Sequence, residues 1–186
     1  MSFWIVAYGY GRAVVERQIN PQSGAPAFRP RAVEESPPAG LMIDRAVYEE
    51  IESHLRACLP AEGCGLLATR FDADGRPEHV EWFYPGSNLD DSRTSYTMDP
   101  REVVTALKDM DARGWRLGAI VHSHPLTPAT PSATDLRHAY YPGALMLIVS
   151  FTMVTPQWRA WRVAPGDGSA RLLGEATFGV VDQGAT

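Results

Sequence analysis

The apolar positions of this chain fall into short runs, each bounded by turn-forming residues. Residues 3–7 (FWIVA) and 12–16 (RAVVE) flank Tyr8-Gly9-Tyr10-Gly11 and predict a small hairpin. Between 20 and 40, Pro21, Gly24, Pro26, Pro30, Pro37, Pro38 and Gly40 break regular structure, which reads as a linker or extended wrap and puts a domain boundary near residue 40. Leu41-Met42-Ile43 reads as a brief strand. Asp44 is placed to cap a helix over 45–58, where Val47, Ile51, Leu55 and Cys58 recur at helical spacing, and Pro60 closes it. Residues 63–69 (GCGLLAT) predict a central strand, 72–75 (DADG) a turn, and 79–84 a strand with Val80, Trp82 and Tyr84 on one face. Asp99 and Pro100 open a second helix that Glu102 is expected to lock with a capping box; Val103, Val104, Leu107 and Met110 form its buried stripe and Gly114 stops it. Residues 117–122 (LGAIVH) predict a buried strand, 123–131 a Pro/Thr loop, Ser132 the start of a short helix, and 144–151 (ALMLIVSF) a fully buried strand; 158–163 and 171–173 look like later strands of a meander. Helices alternate with strands first, and strands then follow one another. The expected fold class is therefore α/β, a mixed, largely antiparallel central sheet with helices packed on it.

Composition narrows the function classes. A length of 186 residues suits one domain with an appendage: a hairpin and Pro/Gly-rich extension over 1–40, a main domain over 41–175 and a C-terminal tail over 176–186. With 45% hydrophobic and 21% charged residues, enough apolar surface is present to offset chain entropy, which excludes a wholly disordered chain. No run reaches the roughly 18 apolar residues of a membrane span, so no membrane partner is expected. Lys and Arg number 17 against 22 Asp and Glu, giving a net charge of −5 without a basic cluster, so no nucleic-acid partner is expected either. Cys58 and Cys64 are too few for a disulfide scaffold and read as reduced thiols. The first residues lack a cationic segment and a cleavage site, and a cytoplasmic location is expected.

The chemically informative segment is His122-Ser123-His124-Pro125 followed by Ser132-Ala133-Thr134-Asp135. Side chains two apart on a strand point to one side, so the two imidazoles can converge on one point. Asp135, in the first turn of the next helix, is the natural third ligand of a divalent ion held by N and O donors. Ordinary readings stand beside this one. A His pair on a strand is often one buried, hydrogen-bonded ring and one exposed ring, and Ser132-x-x-Asp135 also satisfies a capping box. The cap and the ligand are compatible, because Ser132 can cap while Asp135 faces a metal. Competing signatures are missing: no Pro-Cys-x-x-Cys of zinc deaminases, no His-Glu-x-x-His, no Gly-x-Ser-x-Gly elbow and no glycine-rich phosphate loop.

The spacing His-Ser-His, seven residues, Ser, two residues, Asp resembles the JAMM motif of the JAB/MPN metalloprotease family. Glu62-Gly63-Cys64-Gly65-Leu66-Leu67 is similar to its upstream Glu-x-Cys-Gly-Leu-Leu element, and the likeness spans about 41–175. The resemblance implies the JAB/MPN, cytidine-deaminase-like fold, with Zn²⁺ held by His122, His124 and Asp135 and a water in the fourth position. It implies Glu62 as general base and Ser132 as hydrogen-bond donor to the oxyanion. Every one of these positions is filled, so an active zinc metallopeptidase is expected. The compact chain resembles the bacterial branch, which implies cleavage after the Gly-Gly tail of a small ubiquitin-like (β-grasp) sulfur-carrier protein, for instance releasing cysteine. A homodimer stays open. The alternatives are a non-catalytic scaffold of the same fold, or a DNA-associated relative, against which the acidic balance counts. Cys64, Trp82, Trp158 and Trp161 are read first as packing residues, His138 as supporting or solvated, and His54 and His79 as ordinary.

Overall fold

The computed structural model describes residues 8–9, 12–13, 40–71, 77–141 and 143–182. The outer parts of the N-terminal hairpin, the Pro/Gly-rich stretch up to 39, the 72–75 turn and the last four residues lie outside the described residues. Within the unit formed by residues 1–35, strands β1 (Tyr8–Gly9) and β2 (Arg12–Ala13) pair antiparallel, Tyr8 opposite Ala13.

Residues 36–186 form the other unit. Its seven strands are β3 (Gly40–Asp44), β4 (Cys64–Phe71), β5 (Pro77–Gly86), β6 (Arg116–His124), β7 (Leu145–Ser150), β8 (Gln157–Ala164) and β9 (Arg171–Val181). Three helices accompany them: α1 (Arg45–Ala57), α2 (Pro100–Ala112) and α3 (Ala133–Arg137). The strand order is β3-β9-β8-β7-β6-β4-β5; β3–β9 and β6–β7 pair in parallel and the rest antiparallel. This is the expected mixed, largely antiparallel α/β sheet. Residues 176–181, expected in a tail, belong to β9, where Thr177 to Val181 pair with Gly40 to Asp44. Among the described residues no helix is long and apolar enough to cross a membrane.

Strand alternation divides the core. On one face Ile51 and Leu55 of α1 pack with Leu67, Phe83, Val121, Leu147 and Val149. On the other, Ala106 and Met110 of α2 pack with Leu66, Ala68 and Leu117, while Met146, Ile148, Trp161 and Val163 enclose Ala129 beside α3. Strand β7 is buried along its whole length, as its unbroken apolar run requires for a strand covered on both faces.

Three local expectations change. Asp44 makes no capping hydrogen bond; its carboxylate lies 3.2 Å from His79 Nε2, because β3 and β5, at opposite ends of the strand order, curl into contact. Val80 and Trp82 do not share a face. The ladder pairs Ala68 with Trp82 but Thr69 with Val80, so Glu81 is an extra residue; Val80 and Phe83 turn into the α1 core and Trp82 is left 55% exposed. Glu102 closes no capping box. Asp99 caps α2 through Arg101 N (2.8 Å), and since Ser87 O already accepts from Asp99 N, the Glu102 carboxylate takes the Ser87 amide and hydroxyl at 2.7 and 2.8 Å.

Candidate metal centre

The site begins at the carboxyl end of β6. Its alternation turns Val121 and Ser123 to one side and His122 and His124 to the other. His122 lies opposite Cys64 on β4 and Ile148 on β7, and it is 0% exposed. The two Nε2 atoms stand 3.2 Å apart. The third group arrives with α3. Ser132 Oγ accepts the Asp135 amide at 3.1 Å and Asp135 Oδ2 accepts the Ser132 amide at 2.6 Å, a complete capping box. The same carboxylate faces the histidines, Oδ1 at 3.4 Å from His122 Nε2 and Oδ2 at 3.4 Å from His124 Nε2. Cap and cluster coexist, because the box fixes the carboxylate that the imidazoles meet.

These distances test whether a metal suits the donors. A tetrahedral ion with bonds of about 2.0–2.1 Å has ligand–ligand edges of about 3.3–3.4 Å. The Nε2–Nε2 separation of 3.2 Å is close to such an edge, each Asp135 oxygen stands 3.4 Å from a different imidazole, and one donor atom from each of the three buried residues lies within 4.8 Å of the others. Two imidazole nitrogens and one carboxylate, with one position left over, form a donor set that fits Zn²⁺.

The surroundings prepare His124. Its Nδ1 lies 2.8 Å from Pro128 O and 3.1 Å from Thr127 Oγ1. A carbonyl only accepts, so Nδ1 carries the proton and Nε2 keeps its lone pair for the shared point. The 125–131 loop is braced in turn: Trp161 Nε1 donates to Ala129 O (2.9 Å) and Ser150 Oγ to Thr127 O (2.7 Å). His122 differs. Its Nδ1 has no hydrogen-bond partner among the described residues, and the Tyr96 ring stacks on it at 4.8 Å and 28°.

Charges follow from this packing. Burial drives the His122 imidazolium below its ordinary range. Burial also opposes the Asp135 carboxylate, yet the hydrogen bonds of His122 and His124, with the Ser132 amide, hold it well below the usual carboxylate range. For His124, burial is outweighed by Asp135, the Pro128 carbonyl and Glu62, and its affinity for a proton rises.

Glu62 precedes β4 and is 3% exposed. Its backbone is held from two directions: its amide donates to Ser92 O (2.7 Å) and its carbonyl accepts from Asn88 Nδ2 (2.9 Å). The next residue, Gly63, donates to Ser123 Oγ (2.8 Å) and accepts from the Ser123 amide (2.9 Å). A Cβ at Gly63 would stand 2.9 Å from Leu55 Cδ2 and 3.1 Å from Cys58 Cβ and Sγ, so a larger residue would require these side chains to shift. Burial pushes the Glu62 carboxyl up to about 7; the His124 charge works against this, and Asp135 and Asp90 add to it. Glu62 is thus in electrostatic reach of His124 and Asp135, and its Oε2 has no partner among the described residues.

Cys64 is a core thiol. It is buried, its Sγ donates to Gly86 O at 3.7 Å, and burial pushes it up to about 12. Trp158 and Trp161 are core residues, and His138 is exposed at the end of α3. The sequence reading missed Ser123, Asn88 and Tyr96. For Ser123 a signal existed, since a residue between two inward histidines must face the other side of the sheet; nothing local marks Asn88 or Tyr96.

The family model described as prokaryotic homologs of the JAB domain matches residues 44–164. The chain belongs to this family. Among curated proteins it is 41% identical over 100 residues to a probable TtuB-protein conjugate cleaving protease of Thermus thermophilus, covering 53% of this chain and 63% of that protein. It is 40% identical over 92 residues to the desampylase of Haloferax volcanii, covering 49% and 63%. It is 32% identical over 110 residues to the CysO-cysteine peptidase of Mycobacterium tuberculosis, covering 59% and 73%. The matched part spans 63% of the length of the first two relatives. A solution structure of a Desulfitobacterium hafniense protein superposes with a TM-score of 0.65 at 38% identity, covering 77% of this chain and 94% of that one. The resemblance to the bacterial JAB/MPN branch therefore holds.

Proposed function

We propose that the protein is a zinc-dependent peptidase that hydrolyses the amide bond after the C-terminal Gly-Gly of a small ubiquitin-like or sulfur-carrier protein. The observation that carries this reading is the meeting of His122 Nε2, His124 Nε2 and the Asp135 carboxylate at 3.2–3.4 Å, with Glu62 in electrostatic reach and its buried Oε2 without a partner among the described residues. The names of the three relatives, a probable TtuB-protein conjugate cleaving protease, a desampylase and a CysO-cysteine peptidase, support the substrate class.

His122, His124 and Asp135 would hold the metal. Bound there, zinc supplies Lewis acidity and lowers the pKa of water toward about 7. Glu62 takes the proton of the attacking water and returns it to the leaving amine, a task suited to a carboxyl whose affinity for protons lies near the working pH. Ser132 Oγ already accepts the Asp135 amide, so its own proton is free to be donated to the developing oxyanion. A Gly-Gly tail suits such a centre because residues without Cβ let the scissile backbone come close.

The test uses the full chain and a β-grasp carrier ending in Gly-Gly extended by one amino acid, with products read by mass spectrometry. Release of the carrier ending in Gly-Gly, loss with a chelator and recovery with Zn²⁺ are expected. Glu62→Gln should keep its metal and lose about 10²–10⁴-fold in kcat. Metal-loaded protein that leaves the adduct intact while cutting unrelated peptides refutes the substrate class. A Glu62→Gln variant with undiminished turnover refutes the mechanism.

A further inference from the structure

We propose that Tyr96 is a positioning residue for His122, its ring fixing the imidazole plane that hydrogen bonding fixes for His124. This rests on the reading of His122, His124 and Asp135 as metal ligands. The two histidines are held by different means. His124 has Pro128 O and Thr127 Oγ1 at Nδ1, whereas His122 is fully buried with an Nδ1 that has no partner among the described residues. Imidazoles that bind metals are ordinarily oriented by a partner at the second nitrogen, and without one the ring plane is left to packing alone. Cross-strand neighbours Cys64 and Ile148 flank His122 within the sheet, and the Tyr96 ring covers it at 4.8 Å and 28°.

Tyr96 is itself delivered by a built loop. Asn88 Nδ2 donates to Glu62 O (2.9 Å) and Ser95 O (3.2 Å), while Asn88 Oδ1 accepts from the amides of Asp90 (3.0 Å) and Thr97 (3.1 Å). Two donor and two acceptor bonds use the whole capacity of a side-chain amide. Ser95 and Thr97 are the two neighbours of Tyr96, so Asn88 grips the backbone on both sides of the aromatic residue. Leu89 N to Thr97 O (2.8 Å) closes the loop, and Glu62 N to Ser92 O (2.7 Å) docks it. One loop therefore holds the backbone of Glu62 and the ring of His122 together, and the working part of Tyr96 is its face.

The experiment measures zinc affinity of the full chain by competition with a chromophoric chelator, and geometry by the visible absorption of the Co²⁺-substituted protein. Tyr96→Phe keeps the face and should bind within about twofold of wild type, while Tyr96→Leu should bind about 10–100-fold more weakly with an altered cobalt spectrum. The metal-free melting curves of the two variants should agree, which a merely structural role would not allow. Asn88→Asp, which removes the amide donors that hold Ser95 O and Glu62 O, should weaken zinc in the same direction and serves if Tyr96→Leu does not fold. Wild-type affinity in Tyr96→Leu or in Asn88→Asp, or an equal loss in Tyr96→Phe, overturns the role of the ring alone. Wild-type protein that binds no zinc, or a His124→Ala variant that binds it unchanged, overturns the metal reading and this inference with it.

Discussion

Replacing Glu62 by Gln should make the metal-free protein more stable at pH 8 while lowering the proposed turnover. The carboxyl of Glu62 is 3% exposed, and burial raises it from the ordinary 4.5 to about 7. Below pH 4.5 both the folded and the unfolded chain hold this proton. Between 4.5 and 7 the unfolded chain releases it and the folded chain does not, so this group lowers stability as pH rises and its effect levels off above 7. At about 1.36 kcal/mol per pH unit, an interval of about 2.5 corresponds to about 3 kcal/mol at most. His124 shares part of that charge and local relaxation screens more, which leaves about 1–2 kcal/mol. For a chain of this size the gain is about 2–8 °C in melting temperature at pH 8, shrinking to nothing near pH 4. Chelator-treated wild type and Glu62→Gln are compared by urea denaturation across that range, so that other titrating groups largely cancel. Added Zn²⁺ should reduce the gain, because a cation near the carboxylate favours its ionised form. A variant no more stable than wild type at pH 8, or a difference that persists unchanged at pH 4, would show that Glu62 is not held at a cost.

Ser123→Ala leaves the buried Gly63 amide without its acceptor and should cost about 1–3 kcal/mol in denaturant melts; because Ser123 faces away from the histidines, bound zinc should stay at wild-type stoichiometry. Ser132→Ala removes the cap of α3 and the proposed oxyanion donor together. It should cost about 0.5–2 kcal/mol of stability. It should also cost about 10²–10³-fold in kcat with the metal retained, which steady-state kinetics and metal analysis on one sample will read.

Much of the candidate site is legible locally. His122 and His124 are two apart on an apolar run, and the period of a strand alone puts them on one side. Ser132 and Asp135 have the spacing of a capping box, and the box brings the carboxylate to the imidazoles. The helical stripes of Ile51 with Leu55, and of Leu107 with Met110, follow from a period of 3.6 and pack where that period predicts. The errors share one origin. Asp44 and Glu102 are good helix-start residues, but His79 and Ser87, brought close only by folding, offer them other partners. Residues 177–181 look like a tail because their partners in β3 lie more than 130 positions earlier. Glu81 looks like one more member of an alternating strand, and only the ladder with β4 shows it to be an extra residue.

The linear order of residues therefore determined which atoms are available for chemistry: two imidazoles, two carboxylates and a hydroxyl, at spacings set by helix and strand periods that act over a few residues. The tertiary structure decided how these groups are held. The clamp of Ser123 on Gly63, the Asn88-built loop that carries Tyr96 onto His122 and the burial that raises Glu62 join segments far apart in the chain. Local periodicity carries no information about such pairings, because long-range hydrogen bonds and desolvation exist only once the sheet has assembled.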